Sequence, residues 1–238
     1  MKLAGSLAVV TGGTEGIGRA IAVACGAAGA RVALCARTET NVRTTLRDLQ
    51  ADGVNAIGAS CDVSDPASVA AFAAFVQRER GVPHVLINNA GIGRFKPLLE
   101  LSLEDWDATM SVNVRSLYLV TRAFLPGMRD AGRGTIVNVA SLAGRNGIEG
   151  GTAYCASKHA VLGFSKSLML EVRKQGLRVV AICPGSVDTP FMDKRGGRPP
   201  DKRARALAPE DVAHAVLAAV TADDRAMISE LDVRPTNP

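Results

Sequence analysis

Seven apolar runs of β type alternate with amphipathic helical stretches along this chain, and that alternation restricts its fold more than any other feature. Five runs are strong: "SLAVVT" at 6–11, "ARVALCA" at 30–36, "HVLINNA" at 84–90, "GTIVNVAS" at 134–141 and "LRVVAICP" at 177–184. Two are weaker, "VNAIGASCDV" at 54–63 and "AMISELDV" at 226–233. Helical periodicity covers about 17–28, 40–52, 66–80, 103–130, 152–174 and 209–221. Asp65-Pro66 and Pro209-Glu210 have the chemistry of helix starts. Most strands are apolar on both faces, so helices must cover both sides of a parallel sheet. The pattern predicts an α/β fold: one doubly wound, Rossmann-type domain over 1–238 with a seven-stranded parallel sheet. Ligands of such sheets bind beyond the carboxyl ends of the strands, near the point where strand order reverses.

Composition removes other classes. Hydrophobic residues make up 47% of the chain, which suits a packed domain rather than a disordered one. A net charge of +5, without an aromatic-studded basic stripe, predicts no nucleic-acid partner. Cys25, Cys35, Cys61, Cys155 and Cys183 are scattered and lack C-x-x-C spacing, as expected of small buried hydrophobes in a reducing cytoplasm. His84, His159 and His214 form no ligand pattern, so no metal is expected. The opening "MKLAGSLAVVTGG" reads as a first strand rather than a signal peptide, and no apolar run is long enough to span a bilayer.

The first strand runs into "VVTGGTEGIGRAIA". Gly12 permits a sharp turn, Gly16 lets backbone approach a ligand, and Gly18 lets helix and strand pack closely. The helix that follows offers free N–H groups and a positive dipole end to a pyrophosphate. A second combination lies in "GGTAYCASKHAVLGFS" at 150–165: Tyr154 and Lys158 are four residues apart and share one helix face. Such a pair is either an acid–base device or a tyrosine covering a lysine stem.

With "NNAG" at 88–91, "YCASK" at 154–158 and "PGSVDT" at 184–189, the chain resembles the short-chain dehydrogenases/reductases, and within them the 3-oxoacyl-carrier-protein reductases. The resemblance covers almost the whole chain. It implies an NAD(P)(H)-dependent oxidoreductase that interconverts a ketone and a secondary alcohol. It assigns Gly12, Thr14, Glu15, Gly16, Ile17 and Gly18 to the cofactor turn, Asp62 to the adenine with Val63 beside it, and Asn89, Ala90 and Gly91 to the adenosine ribose. Asn88 would instead hold neighbouring strands. Pro184, Gly185, Val187 and Thr189 would contact the nicotinamide.

The same resemblance implies four catalytic residues, Asn113, Ser141, Tyr154 and Lys158. A free phenol, with a pKa of about 10, is a poor acid–base group at neutral pH, and a nearby cation lowers that value. Lys158 would supply the cation and grip the nicotinamide ribose along with Tyr154; Ser141 would orient the substrate oxygen. Asn113 would interrupt its helix and link Lys158 to solvent. The alternative is a catalytically silent dinucleotide-binding sensor that keeps the fold.

For cofactor choice, Ala36 stands where an acid would select NAD, and Arg37 follows with a fork able to hold a 2′-phosphate. Glu15 opposes this with its charge. The balance favours NADP(H), with NAD(H) usable. Candidate pocket walls are Gly93, Arg94, Phe95, Ile148, Glu149, Phe191 and Met192. The stretch at about 186–208 reads as a lid. Arg129, Arg133, Arg173 and Lys174 either face an acidic carrier protein or are ordinary solvated charges. A departure from the family lies in the ending "ISELDVRPTNP", where many acyl-carrier reductases have a glycine-rich segment. The substrate is therefore expected to be a small carbonyl or alcohol, or an acyl thioester. Apolar excess on the long helices predicts a homodimer or homotetramer.

Overall fold

The computed structural model describes residues 3–193 and 203–237. Its strands are β1 (Leu7–Thr11), β2 (Arg31–Ala36), β3 (Ala56–Ser60), β4 (Val85–Asn88), β5 (Gly134–Val139), β6 (Leu177–Pro184) and β7 (Glu230–Val233). They form one seven-stranded sheet in the order β3-β2-β1-β4-β5-β6-β7, with every neighbouring pair parallel. All seven runs read from the sequence are strands of this sheet.

Side chains alternate across the sheet because successive Cβ atoms on a strand point to opposite faces. Ala8, Val10, Val32, Leu34, Val85 and Ile87 pack on one face. That face is covered by α1 (Gly16–Ala27), α2 (Glu39–Ala51) and α8 (Pro209–Thr221). Leu7, Val9, Ala33, Leu86, Ile136 and Val179 point to the other face, under α3 (Pro66–Arg80), α5 (Ser116–Asp130) and α6 (Thr152–Val172). Phe72 of α3 and Phe124 of α5 meet there edge-on, with ring centroids 6.3 Å apart. Cutting the fully buried Phe124 to alanine would cost about 3–5 kcal/mol.

Helix α3 starts as its sequence dictates: Pro66 sits at its first turn, and the Asp65 carboxylate accepts from Ala67 N and Ser68 N. The stretch read as one helix over 103–130 is divided. It comprises α4 (Leu103–Met110), a π-helical turn (Ser111–Arg115) and α5. The wider turn admits one extra residue, and Asn113 inside it is buried. The sheet order reverses between β1 and β4, so the loops after β1 and β4 leave in divergent directions and open a crevice. The middle of the expected lid, residues 194–202, lies outside the described residues. Its two ends are joined: Val187 bridges to Leu207, and Leu207 N donates to Ser186 O at 2.9 Å. A short helix, α7 (Pro190–Asp193), leads into it. Among the described residues, no helix is long and apolar enough to cross a membrane.

Candidate active site

A cavity of about 590 Å³ lies over the carboxyl ends of the strands. Its first wall is the turn between β1 and α1. Gly12 has φ +63° and Gly16 φ +50°, left-handed backbone that glycine adopts without strain. A Cβ on Gly18 would stand 2.1 Å from Gly12 O and 2.3 Å from Asn89 Nδ2, so Gly18 fixes how closely helix and turn approach. Gly18 does not itself line the cavity, whereas Gly12, Thr14, Glu15, Gly16 and Ile17 do. The Glu15 side chain at the N-cap makes no capping bond to α1, and a helix start of this kind can offer backbone N–H groups to an anion. This backbone cradle fits a pyrophosphate.

The Asn89 amide donates to Thr11 O at 3.0 Å and Gly12 O at 3.1 Å, tying the loop after β4 to the glycine turn. Thr11 Oγ1 completes the joint by accepting from Asn89 N and Ala90 N. Asn88 points instead into the core, where it donates to Thr121 Oγ1 and Asn138 Oδ1. Asn138 in turn donates to Ser165 Oγ of α6 at 2.9 Å. That chain of bonds is the strand-holding role expected of Asn88.

Beyond the glycine turn, Arg37, Asp62 and Val63 line the cavity together with Thr38, Asn41 and Cys61. The Asp62 carboxylate accepts from Ser64 N and Ser64 Oγ. Chiefly the Ser64 hydroxyl, and further the Arg37 charge, hold Asp62 below the usual carboxylate range against the opposing pull of burial. Asp62 therefore faces the cavity as an anion, a ready acceptor.

At the opposite wall Ser141, Tyr154 and Lys158 converge. Ser141 ends the β5 run; its Oγ accepts from Ala143 N at 3.1 Å and caps a single 3-10 turn. Tyr154 and Lys158 sit one turn apart on α6, exposed by only 9% and 5%. Lys158 Nζ donates to Val139 O at 2.8 Å. Burial pulls the Lys158 pKa down from 10.5 to about 8. Asn113 does not line the cavity and stands behind it. Its amide donates to Ile92 O and to Ser157 Oγ, and its carbonyl oxygen accepts from Ile92 N, all within 2.9 Å. It therefore clamps the loop after Gly91 onto α6; its hydrogen bonds go to Ile92 and Ser157 rather than to Lys158. Pro184, Gly185, Val187 and Thr189 close the cavity along the end of β6.

Of the expected pocket walls, Phe95, Ile148, Phe191 and Met192 line the cavity; Gly93, Arg94 and Glu149 do not. Phe95 and Phe191 lie with ring centroids 5.2 and 5.7 Å from that of Tyr154. Gly93 makes this trio possible, since a Cβ there would stand 2.5 Å from the Phe95 ring and 2.7 Å from Phe191. Arg94 turns to Asp105 instead. Arg129, Arg133, Arg173 and Lys174 lie near the amino ends of β5 and β6, at the opposite end of the sheet from the cavity. The solvated-charge reading suits that position; a carrier docked at the cavity would not meet them.

Sequence reading missed several residues here. Thr11, Ser157 and Val139 act through bonds to distant partners, and no local pattern marks them. Arg234 and Pro235 line the cavity from beyond β7.

A family model described as short chain dehydrogenase matches residues 6–198. The 3-oxoacyl-acyl-carrier-protein reductase FabG of Pseudomonas aeruginosa is 38% identical over 189 residues, covering 79% of this chain and 76% of that protein. D-threitol dehydrogenase of Mycolicibacterium smegmatis is 37% identical over 238 residues, covering 98% and 92%. Among solved structures, a metagenomic short-chain oxidoreductase in complex with NADP is 40% identical with a TM-score of 0.87, covering all of both chains.

Proposed function

The chain belongs to the short-chain dehydrogenase family, and from that premise we propose that Asn113, Ser141, Tyr154 and Lys158 interconvert a ketone and a secondary alcohol with NADP(H) as partner. The observation that carries this reading is a single cavity with the glycine turn at one wall and Ser141, Tyr154 and Lys158 at the other. Bound NADP(H) would supply or accept the hydride. The protein's own residues manage the oxygen and its proton. Tyr154 Oη donates a proton to the substrate oxygen in reduction and takes it back in oxidation, a transfer worth about 10²–10⁴-fold. Ser141 Oγ orients the same oxygen. Lys158 adds positive charge beside the phenol and has donors for the nicotinamide ribose. Asn113 keeps the wall formed by Ile92 in register with α6.

Dinucleotide contacts fall to Gly12, Thr14, Glu15, Gly16 and Ile17 at the pyrophosphate, with Gly18 shaping their turn. Asp62 with Val63 serves the adenine, and Asn89, Ala90 and Gly91 the ribose. Pro184, Gly185, Val187 and Thr189 hold the nicotinamide. Arg37 supports NADP(H) over NAD(H), as does the NADP bound to the metagenomic relative.

The names of the relatives span an acyl-carrier thioester and a sugar alcohol. The ketone–alcohol chemistry is what they share, and the walls of this cavity set the substrate. We assign residues 1–238 to one catalytic domain that works in the cytoplasm as a homodimer or homotetramer. Exposed Tyr118 and Leu170 on α5 and α6 support the assembly, and light scattering at micromolar concentration tests it: a monomer counts against it. A carbonyl panel assayed with NADPH and NADH tests the activity. Tight NADPH binding with no turnover across the panel would instead make this a dinucleotide sensor.

A further inference from the structure

Strands β6 and β7 end side by side, with Pro184 paired to Val233 and Gly185 N donating to Val233 O at 2.8 Å. The next residues, Arg234 and Pro235, leave the sheet at its carboxyl end and turn along the cavity. Pro235 packs on this joint: a side chain at Gly185 would stand 3.2 Å from Pro235 Cδ and 3.2 Å from Leu142 Cδ1. Arg234 thus belongs to the half of the cavity that holds Ser141, Leu142 and Pro184. Arg37 follows β2, five strand positions away, or roughly 24 Å at the usual spacing. The two arginines cannot serve the same anionic group.

A cluster of charge holds Arg234 in place. Its Nη2 donates to Asp232 Oδ2 at 2.9 Å, and the other Asp232 oxygen lies 3.3 Å from Arg145. Arg145 also pairs with Glu230, which takes Lys166 at 3.1 Å. Three cations surround two carboxylates, leaving one positive charge in excess. Arg234 is the member of the cluster that lines the cavity, and its side chain is more than half exposed. Asp232 engages one edge of the guanidinium, and that planar fork has further donors. The rest of this half is largely apolar: Phe95, Leu142, Ile148, Phe191 and Met192. A cation beside such a wall is matched best by a planar anion that accepts two parallel hydrogen bonds.

We propose that Arg234 is a specificity-determining residue that selects ketones bearing a carboxylate, with the carboxylate toward the end of β7 and the carbonyl toward Tyr154. This rests on the oxidoreductase reading above. It predicts that with saturating NADPH the kcat/KM for an oxocyclohexane carboxylate exceeds that for its methyl ester by about tenfold, the effect of one charged hydrogen-bond pair. Arg234→Met keeps the stem and removes the charge, and should bring the acid-to-ester ratio near unity; Arg234→Lys should restore part of it. A ratio unchanged in Arg234→Met overturns the proposal. So does a preference for dihydroxyacetone phosphate over dihydroxyacetone that exceeds the acid-over-ester preference. Calorimetric titration of the matching hydroxy acid into the NADP-loaded protein separates this idea from its premise. Binding about tenfold weaker in Arg234→Met upholds the Arg234 assignment even where no ketone is turned over, in which case the oxidoreductase reading alone falls. Equal affinity in both proteins, or no binding in the wild type, overturns the assignment.

Discussion

The Lys158 ammonium stands 5.7 Å from the centre of the Tyr154 ring while donating to Val139 O at 2.8 Å. One bond to the end of β5 thus holds the cation beneath the phenol. The sheet sets the position of the lysine, and the helix sets its distance from the tyrosine. This arrangement can bias a proton on Tyr154 without quenching the charge in an ion pair.

Tyr154→Phe removes one hydroxyl and keeps the ring that packs with Phe95 and Phe191. Turnover should fall by about 10²–10⁴-fold, with NADPH affinity nearly unchanged. Steady-state rates and a fluorescence titration of NADPH check the two halves. A variant that turns over at the wild-type rate would falsify the role given to Tyr154.

Burial sets a pH limit. Lys158 loses its proton near pH 8 in the folded chain, against 10.5 as the ordinary value. Below the lower value it is charged, so kcat/KM for NADPH should hold there and fall as pH rises through about 8. The stability contribution runs the other way. Between the two values the unfolded state binds more protons, so this group's contribution to stability rises with pH. Lys158→Arg should move the falling limb upward, because arginine stays charged. A pH–rate profile with no falling limb in that range contradicts the assignment.

On the proposed reading, cofactor choice turns on Arg37 and Glu15, two side chains that line the cavity. Arg37→Ala should raise the KM for NADPH about tenfold, as expected for a lost charged hydrogen bond, and change that for NADH little. Glu15→Arg should sharpen the NADPH preference. Equal losses with both cofactors in Arg37→Ala would show that Arg37 does not read the 2′-phosphate.

Gly18→Ala tests the glycine turn without touching its lining. The new Cβ would sit 2.1 Å from Gly12 O, a backbone atom, so the turn or the helix must move. Overpacking of this kind costs about 1–3 kcal/mol, and a chain of this size loses roughly 2–4 °C of Tm per kcal/mol. NADPH affinity should fall with it. Calorimetric melting with and without NADPH checks this; an unchanged Tm and unchanged affinity would show that the close approach is not needed.

What could be read from the sequence was local or periodic. Strong apolar runs marked the five inner strands, because a parallel strand buried between helices needs hydrophobes on both faces, whereas the half-buried edge strands β3 and β7 left only the two weaker runs. The glycine turn was legible because left-handed backbone and close approach demand glycine at Gly12, Gly16 and Gly18. Tyr154 and Lys158 share a face by helix period alone, and Asp65-Pro66 named its own cap. Family motifs, rather than physics, singled out Ser141 and Asn113.

The tertiary structure decided everything that depends on strand order. Asn113 grips Ile92 and Ser157, and Thr11 receives Asn89 N, across separations that periodicity does not encode. The π-helical turn that buries Asn113 left no mark in the helical periodicity, and the interruption at Asn113 was expected from the family resemblance alone. Phe95, Tyr154 and Phe191 come from three separate segments and meet over the space that Gly93 leaves. The sheet sent Arg133 and Lys174 to its amino end and Arg234 to the cavity. Charge alone could not tell these residues apart. In a parallel sheet the two ends of every strand lie on opposite sides of the molecule, so a residue's place before or after its strand, and that strand's place in the order, decides whether it meets the ligand.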